Sequence, residues 1–215
     1  MVLKLFGHPD STCTKRAAVV LHEKNIPFEF HQIDFSKQEH KSPGFLEKQP
    51  FGQVPYLDDD GFIVYESRAI ARYLAEKYAD KGPALIPVDI KKKGLFEQAA
   101  SVEVSNFDAF AAPAVWEKVF KPFYGLTTDE EALKKHLTSL EAKLDVYDKI
   151  LGKQKYLAGD EVTLADLFHL SYGALLPAVG SNAIQDRPNV ARWFNDISER
   201  PAWKAIKDGI KPISA

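Results

Sequence analysis

Val54-Pro55-Tyr56-Leu57-Asp58-Asp59-Asp60-Gly61-Phe62-Ile63-Val64-Tyr65-Glu66-Ser67-Arg68-Ala69-Ile70 is the run on which the reading of the first eighty residues turns. Two short apolar stretches, 54–57 and 62–65, flank an acidic tetrapeptide ending in Gly61. A glycine there supplies the turn residue of a β-hairpin. From Ser67 the period changes: Ile70, Tyr73 and Leu74 fall on one face of a helix, expected to run to about Tyr78. The predicted order is strand, strand, helix. The three aspartates read as a solvated hairpin tip, because a consecutive run lacks the spacing of a calcium loop.

Upstream, Val2 to Phe6 is a short apolar run that stops at Gly7-His8-Pro9, as a strand stops at a turn. Ser11 then stands as an N-cap before Thr12-Cys13-Thr14-Lys15-Arg16-Ala17-Ala18-Val19-Val20-Leu21, a predicted helix. Pro27 to Ile33 carries Phe28 and Phe30 two residues apart, which predicts a second strand. Strand, helix and strand in that order imply a right-handed parallel crossover. Residues from Asp34 to Pro50 read as irregular or weakly helical. A βαβ unit followed by ββα is the arrangement of a thioredoxin-like α/β domain, predicted over residues 1–80.

Downstream the pattern breaks. Gly82, Pro83 and Pro87 mark residues 81–90 as a linker. Residues 91–215 read as an all-α domain. Leu133, Leu137, Leu140, Leu144, Tyr147 and Leu151 recur every three or four residues, and Gly152 follows as a stop. Thr163-Leu164-Ala165-Asp166 has the Thr-x-x-Asp form of a capping box, which makes Asp166 a helix cap rather than a catalytic acid. Pro188 suits the first turn of a helix carrying Val190, Trp193, Phe194 and Ile197.

Composition excludes several function classes. The chain has 215 residues, 45% hydrophobic and 27% charged, as soluble globular proteins do. No apolar run reaches the roughly 18 residues of a membrane helix, so no span is expected. The apolar start, Val2 to Gly7, is too short for a signal peptide. A net charge of −2 provides no electrostatic footprint for nucleic acid. The single cysteine, Cys13, cannot form an intramolecular disulfide or a multi-cysteine metal site. These features fit a cytoplasmic protein without a metal.

Four segments carry a resemblance: Gly7-His8-Pro9-Asp10-Ser11, Glu39-His40-Lys41, Pro50-Phe51-Gly52-Gln53-Val54-Pro55 and Tyr65-Glu66-Ser67-Arg68-Ala69-Ile70. With Leu164-Ala165-Asp166 and Arg200-Pro201-Ala202-Trp203, they resemble a glutathione transferase, most of all its phi class, over essentially the whole chain. The resemblance implies glutathione as co-substrate, held by the first domain, and a site for hydrophobic electrophiles contributed by the second. Conjugation, with glutathione-dependent peroxidase activity beside it, is the implied chemistry. A binding protein for hydrophobic small molecules and a non-catalytic transferase-like interaction module are the alternatives. The first shares its sequence features with the enzyme. The second usually carries further domains.

The chemistry can be argued beside the likeness. A free thiol has a pKa near about 8.5, so little of it is thiolate at neutral pH, and the thiolate is the nucleophile. A hydroxyl donor at a helix N-terminus stabilises that anion by hydrogen bond and by dipole. Two pKa units require roughly 2.7 kcal/mol. Ser11 follows the first strand and is placed for the task. As a sequence feature it is equally a plain N-cap. The resemblance assigns it the catalytic role. Thr12 is adjacent and could assist. Cys13 lies two residues beyond the position at which cysteine-type relatives carry their thiol, and reads as a small apolar residue.

For the rest of glutathione the resemblance implies a set of holders. Ser67, with free N–H groups at its helix start, takes the γ-glutamyl carboxylate, and Glu66 accepts from the ammonium group. Val54-Pro55 is the cis-proline corner, where the Val54 backbone pairs with the cysteinyl part. His40 and Lys41, with Gln53 beside them, suit the glycyl carboxylate; by composition alone they read as solvated loop residues. For the electrophile the candidates are Phe120, Phe123 and Tyr124, beside Pro122 and Gly125, together with Thr12 and His8. His8 reads equally as a satisfied histidine at a strand end. Phe51 is a large aromatic in a loop of Pro, Gly and Gln, where a monomer gains little by exposing it. In related transferases a residue near here enters the neighbouring subunit, so a homodimer is expected.

Overall fold

The computed structural model describes residues 2–214. The first 65 residues hold four strands, β1 (Leu3–Gly7), β2 (Phe28–Gln32), β3 (Tyr56–Asp59) and β4 (Phe62–Tyr65). They form one sheet in the order β2-β1-β3-β4. β1 runs parallel to β2 with Leu5 opposite Phe30, and antiparallel to β3 with Leu5 opposite Leu57. Helix α1 (Thr12–Glu23) makes the crossover between the parallel pair. Its inner face, Ala17 to Leu21, is fully buried. A short helix α2 (Pro43–Leu46) starts from Ser42, whose hydroxyl accepts the Phe45 N–H at 3.3 Å. Helix α3 (Ser67–Lys77) closes the unit and packs on α1, burying Ile70 and Leu74.

The hairpin is tighter than the sequence suggested. β3 and β4 pair with Asp59 opposite Phe62, so the turn is the two residues Asp60 and Gly61. Both have positive φ, 55° and 89°, the signature of the turn whose twist matches its strands. Asp58 accepts the Gly61 N–H at 2.7 Å. Asp59 is no solvated tip: its carboxylate accepts from the Tyr73 hydroxyl and pairs with Lys77, which ties the hairpin to α3. No group of three or more metal-ligating side chains occurs among the described residues.

By its contacts the chain divides into two compact units, Met1–Ile86 with Arg200–Ala215, and Pro87–Glu199. The last helix, α11 (Pro201–Ile206 in chain order), therefore groups with the first unit, although it follows the helices of the second. Arg200 grips Glu23 through two bonds of 2.5 and 2.6 Å, and the Phe28 N–H donates to the Ile213 carbonyl at 3.1 Å.

The second unit is helical. Helices α4 (Ile90–Glu103), α5 (Ala109–Val115) and α6 (Lys121–Phe123) are joined by two π-helical turns, Val104–Asp108 and Trp116–Phe120. Pro113 lies inside this stretch. The long helix α7 (Glu130–Leu151) buries Leu133, Leu140, Leu144, Tyr147 and Leu151, and Gly152 caps it. Two short helices, α8 (Leu164–Leu167) and α9 (Leu170–Gly173), lead to α10 (Pro188–Ser198), which has Pro188 in its first turn. The capping box at Thr163 and Asp166 is formed. Asp166 is fully buried and accepts four hydrogen bonds: from the Leu157 N–H, the Thr163 N–H and hydroxyl, and the Trp193 indole. No helix among the described residues is long and apolar enough to cross a membrane.

Candidate active site

The parallel crossover brings β1 to an end at Gly7 and starts α1 four residues later, so the loop residues His8 to Ser11 stand at a helix N-terminus. Ser11 is the N-cap. Its Oγ accepts the Thr14 N–H at 3.2 Å, which leaves the hydroxyl proton free to be donated. Gly7 is required by close packing, since a Cβ there would lie 2.6 Å from the Thr14 side chain. The Thr14 hydroxyl in turn accepts the His8 N–H at 3.3 Å. Thr12 is buried in the first turn. Cys13 is half-buried, with Sγ 3.7 Å from Nη1 of Arg16.

His8 is held on both sides. Its Nδ1 accepts the Asp10 N–H at 3.3 Å, and its ring stacks on Phe35 with centroids 4.7 Å apart. Phe35 meets His40 edge to face at 4.8 Å. A continuous aromatic row, His8–Phe35–His40, thus joins the serine loop to the 3₁₀ turn Glu39–Lys41. Phe35 carried no sequence signal of its own. Burial, and then the neighbouring Lys41 charge, hold the His40 pKa below the usual imidazole value. Its Nδ1 is buried without a hydrogen-bond partner among the described residues, which leaves it available to a ligand.

Lys41 does a second job. Its Nζ donates to the Gly52 carbonyl at 2.8 Å and to the Phe51 carbonyl at 3.3 Å, and so shapes the turn that exposes Phe51. Gly52 has φ of 61°, and a Cβ there would meet the Lys41 side chain at 2.7 Å. Gln53 is exposed, and its N–H is fixed by the buried Gln49 side chain at 3.2 Å. The Val54–Pro55 peptide bond is cis.

Glu66 is the N-cap of α3 and has φ of 69° and ψ of 113°. A non-glycine residue in such a region costs of order 1–3 kcal/mol, and strain of this kind collects at ligand sites. Ser67, the first residue of the helix, is buried, and its Oγ accepts from Nη1 of Arg16 at 3.2 Å. Among the sequence-derived candidates of the first unit, the structure therefore joins Ser11 and Ser67 to one framework through α1. It joins His8 and His40 through Phe35.

In the second unit, Phe120 ends the second π-helical turn and is half-buried. Phe123 and Tyr124 are 75% and 52% exposed, with rings 5.4 Å apart. Tyr124 also meets Trp116 at 5.9 Å, a residue the sequence had left aside in favour of its neighbours. The loop after them is pinned by Glu117, which is turned inward by the π-helical turn. Its carboxylate accepts from Lys121 at 2.6 Å and from the Asp129 N–H at 2.9 Å.

Comparison with known proteins bears directly on this arrangement. The chain matches the glutathione S-transferase N-terminal domain over residues 1–76 and the C-terminal domain of the same family over residues 107–201. It is 48% identical to the glutathione S-transferase PM239X14 of Arabidopsis thaliana over 198 residues, 90% of each chain. The crystal structure of glutathione transferase F7 from Populus trichocarpa superposes with a TM-score of 0.92 at 41% identity, covering 98% of this chain and 100% of that one. A glutathione S-transferase I from mais, in complex with an atrazine glutathione conjugate, gives 0.87 at 33% identity over 96% and 97%. Relatives named as F-type transferases are those expected from the phi-class resemblance. A serine at the head of α1, a cis-proline corner and a serine at the head of α3 thus sit in a chain that belongs to the glutathione S-transferase family.

Proposed function

We propose that the protein conjugates the thiolate of glutathione to hydrophobic electrophiles, with Ser11 as the group that stabilises the thiolate. One observation carries this reading: the Ser11 oxygen is occupied by the Thr14 N–H, so its remaining proton points a donor at whatever anion meets the α1 N-terminus. Hydrogen bond and helix dipole act together there. Their combined effect is asked to supply roughly 2.7 kcal/mol, two pKa units of the thiol. The thiol proton leaves to solvent, the sulfur forms the new bond to carbon, and with an aryl halide the halide departs. The mais relative seen with an atrazine conjugate supports a halogenated aromatic as the substrate class. Hydroperoxides are a second electrophile for the same thiolate.

The tripeptide is held by the first domain, residues 1–80. Its γ-glutamyl end lies at Glu66 and Ser67, its cysteinyl part along Val54–Pro55, and its glycyl carboxylate at His40, Lys41 and Gln53. The helical domain after the 81–90 linker contributes Phe120, Phe123 and Tyr124 to the electrophile site, with His8 and Thr12 from the first. The active form is a cytoplasmic homodimer. Phe51, 65% exposed, is the projecting anchor. A groove of about 320 Å³ between α4 and α7, lined by Leu95, Ala99, Val102, Val146 and Ile150, is the matching receptor on the second copy. A two-fold pair buries both anchors at once.

The test titrates the ultraviolet thiolate band of bound glutathione in wild type and Ser11→Ala, beside conjugation to a generic aryl halide. The expected mutant binds glutathione with little loss, titrates one to two units higher (about 1.4 to 2.7 kcal/mol), and turns over correspondingly more slowly. An unchanged titration removes Ser11 from the mechanism. Cys13→Ser serves as the control and leaves conjugation within about threefold; a larger loss would move the protein toward thiol-transfer chemistry.

A further inference from the structure

Arg16 is 2% exposed, among the largest fully buried side chains in the protein. Its helix places it over the first turn of α1, and its guanidinium reaches across to the first residue of α3. Nη1 lies 3.2 Å from Ser67 Oγ and 3.7 Å from Cys13 Sγ. The direction of the bond to Ser67 admits no choice, because a guanidinium has five N–H donors and no acceptor. Ser67 must accept. A serine whose oxygen is engaged from behind keeps one proton, and that proton has to be given to something else.

The charge is placed with the same effect. Helix N-termini carry partial positive charge, so a cation beside the starts of α1 and α3 gains nothing from either dipole. A carboxylate arriving at Ser67 changes the balance, since it meets a hydroxyl donor, the free N–H groups of α3 and a buried cation together.

We propose that Arg16 is a positioning residue for the γ-glutamyl carboxylate of glutathione. It acts through Ser67, whose hydroxyl it converts into a dedicated donor, and it backs that donor with a buried positive charge. The inference rests on the role proposed for Ser67 above.

The experiment measures glutathione affinity by calorimetry, and KM and kcat by conjugation, for wild type, Arg16→Met, Arg16→Lys, Ser67→Ala and the Arg16→Met/Ser67→Ala double variant. Each is also tested with a glutathione analogue lacking the γ-glutamyl α-carboxylate. Arg16→Met is expected to weaken glutathione about tenfold or more, with kcat at saturating glutathione and KM for the electrophile unchanged. Arg16→Lys falls between wild type and Arg16→Met. The double variant loses less than the product of the single losses, and the analogue binds wild type and Arg16→Met alike. Wild-type affinity in Arg16→Met, or an equal loss with the analogue, overturns the proposal. If Arg16→Met does not fold, the same comparison with Arg16→Lys decides it: a loss confined to the carboxylate-bearing ligand supports the role, and no loss or an equal loss refutes it. Wild-type affinity in Ser67→Ala removes instead the assignment of Ser67, and is seen without reference to Arg16.

Discussion

Replacing Asp166 by alanine should be among the most damaging single changes in the helical unit, and its two oxygens make the size of the effect divisible. Oδ1 accepts the Leu157 N–H and the Trp193 indole N–H, both at 2.9 Å. Oδ2 accepts the Thr163 N–H at 2.9 Å and its hydroxyl at 3.1 Å. All of this is buried, so the alanine variant strands three N–H groups, at about 1–3 kcal/mol each, while the hydroxyl can turn to another acceptor. A loss of about 4 kcal/mol follows, a large part of the 5–15 kcal/mol by which domains of this kind are stable. Asp166→Asn keeps one oxygen. Set toward Leu157 and Trp193, it leaves its amide facing Thr163, whose hydroxyl can accept but whose N–H cannot, and about half the loss is expected. Urea unfolding at one fixed protein concentration, followed by tryptophan fluorescence, measures both. With a slope of about 3 kcal/mol/M the alanine midpoint moves down by more than about 1 M. A midpoint within about 0.3 M of wild type, or an asparagine variant as damaged as alanine, would refute the bond-by-bond reasoning.

Phe51→Ala should weaken the homodimer more than about tenfold without loss of helical content, because truncating a buried aromatic anchor costs upwards of about 2 kcal/mol. Sedimentation at several concentrations checks it, and a monomeric wild type or an equally tight mutant dimer contradicts it. A pH dependence is expected as well. Burial, offset in part by the Lys211 carbonyl, lowers the pKa of His22, and burial with the Lys41 charge lowers that of His40. Between the ordinary imidazole value near about 6.5 and these lower folded values, the unfolded chain binds more protons than the folded one. Stability therefore falls as pH drops through that window. Thermal unfolding from about pH 7 to 5 should show a decline that flattens in the His22→Gln/His40→Gln variant.

Much of the fold was legible because its signals are local. The hairpin, the N-cap at Ser11, the period of α7 and the Thr163 box each lie within a few neighbouring residues, and all four are present. The hairpin turn was placed too wide because aspartates are turn formers by composition, whereas Asp58 and Asp59 are kept in β3 by pairing with Ile63 and Phe62. The π-helical turns at Val104–Asp108 and Trp116–Phe120 keep a near-helical spacing, so the period alone does not reveal them. In the candidate site, Ser11 and Ser67 stand out as caps, but Phe35, Gln49 and Arg16 work through distant partners. The bond from Arg16 to Ser67 spans 51 residues. One clue existed: Arg16 follows Thr12 by four residues and precedes Val20 by four, which puts a charge on the face of α1 that is otherwise buried.

The grip of Arg200 on Glu23 and of the Ile213 carbonyl on Phe28 has a consequence for how the protein is born. In chain order the helical unit is an insert, and the sheet unit is left open around it. During synthesis the residues up to Ile86 emerge first, yet α11 and the strap over the edge strand β2 are supplied only after Glu199 has been made. The helical unit, continuous from Pro87, has every one of its own residues available earlier. On the ribosome the order of completion is therefore the reverse of the order of appearance, and the nascent sheet waits with the Phe28 N–H of its edge unpaired until residue 213 arrives.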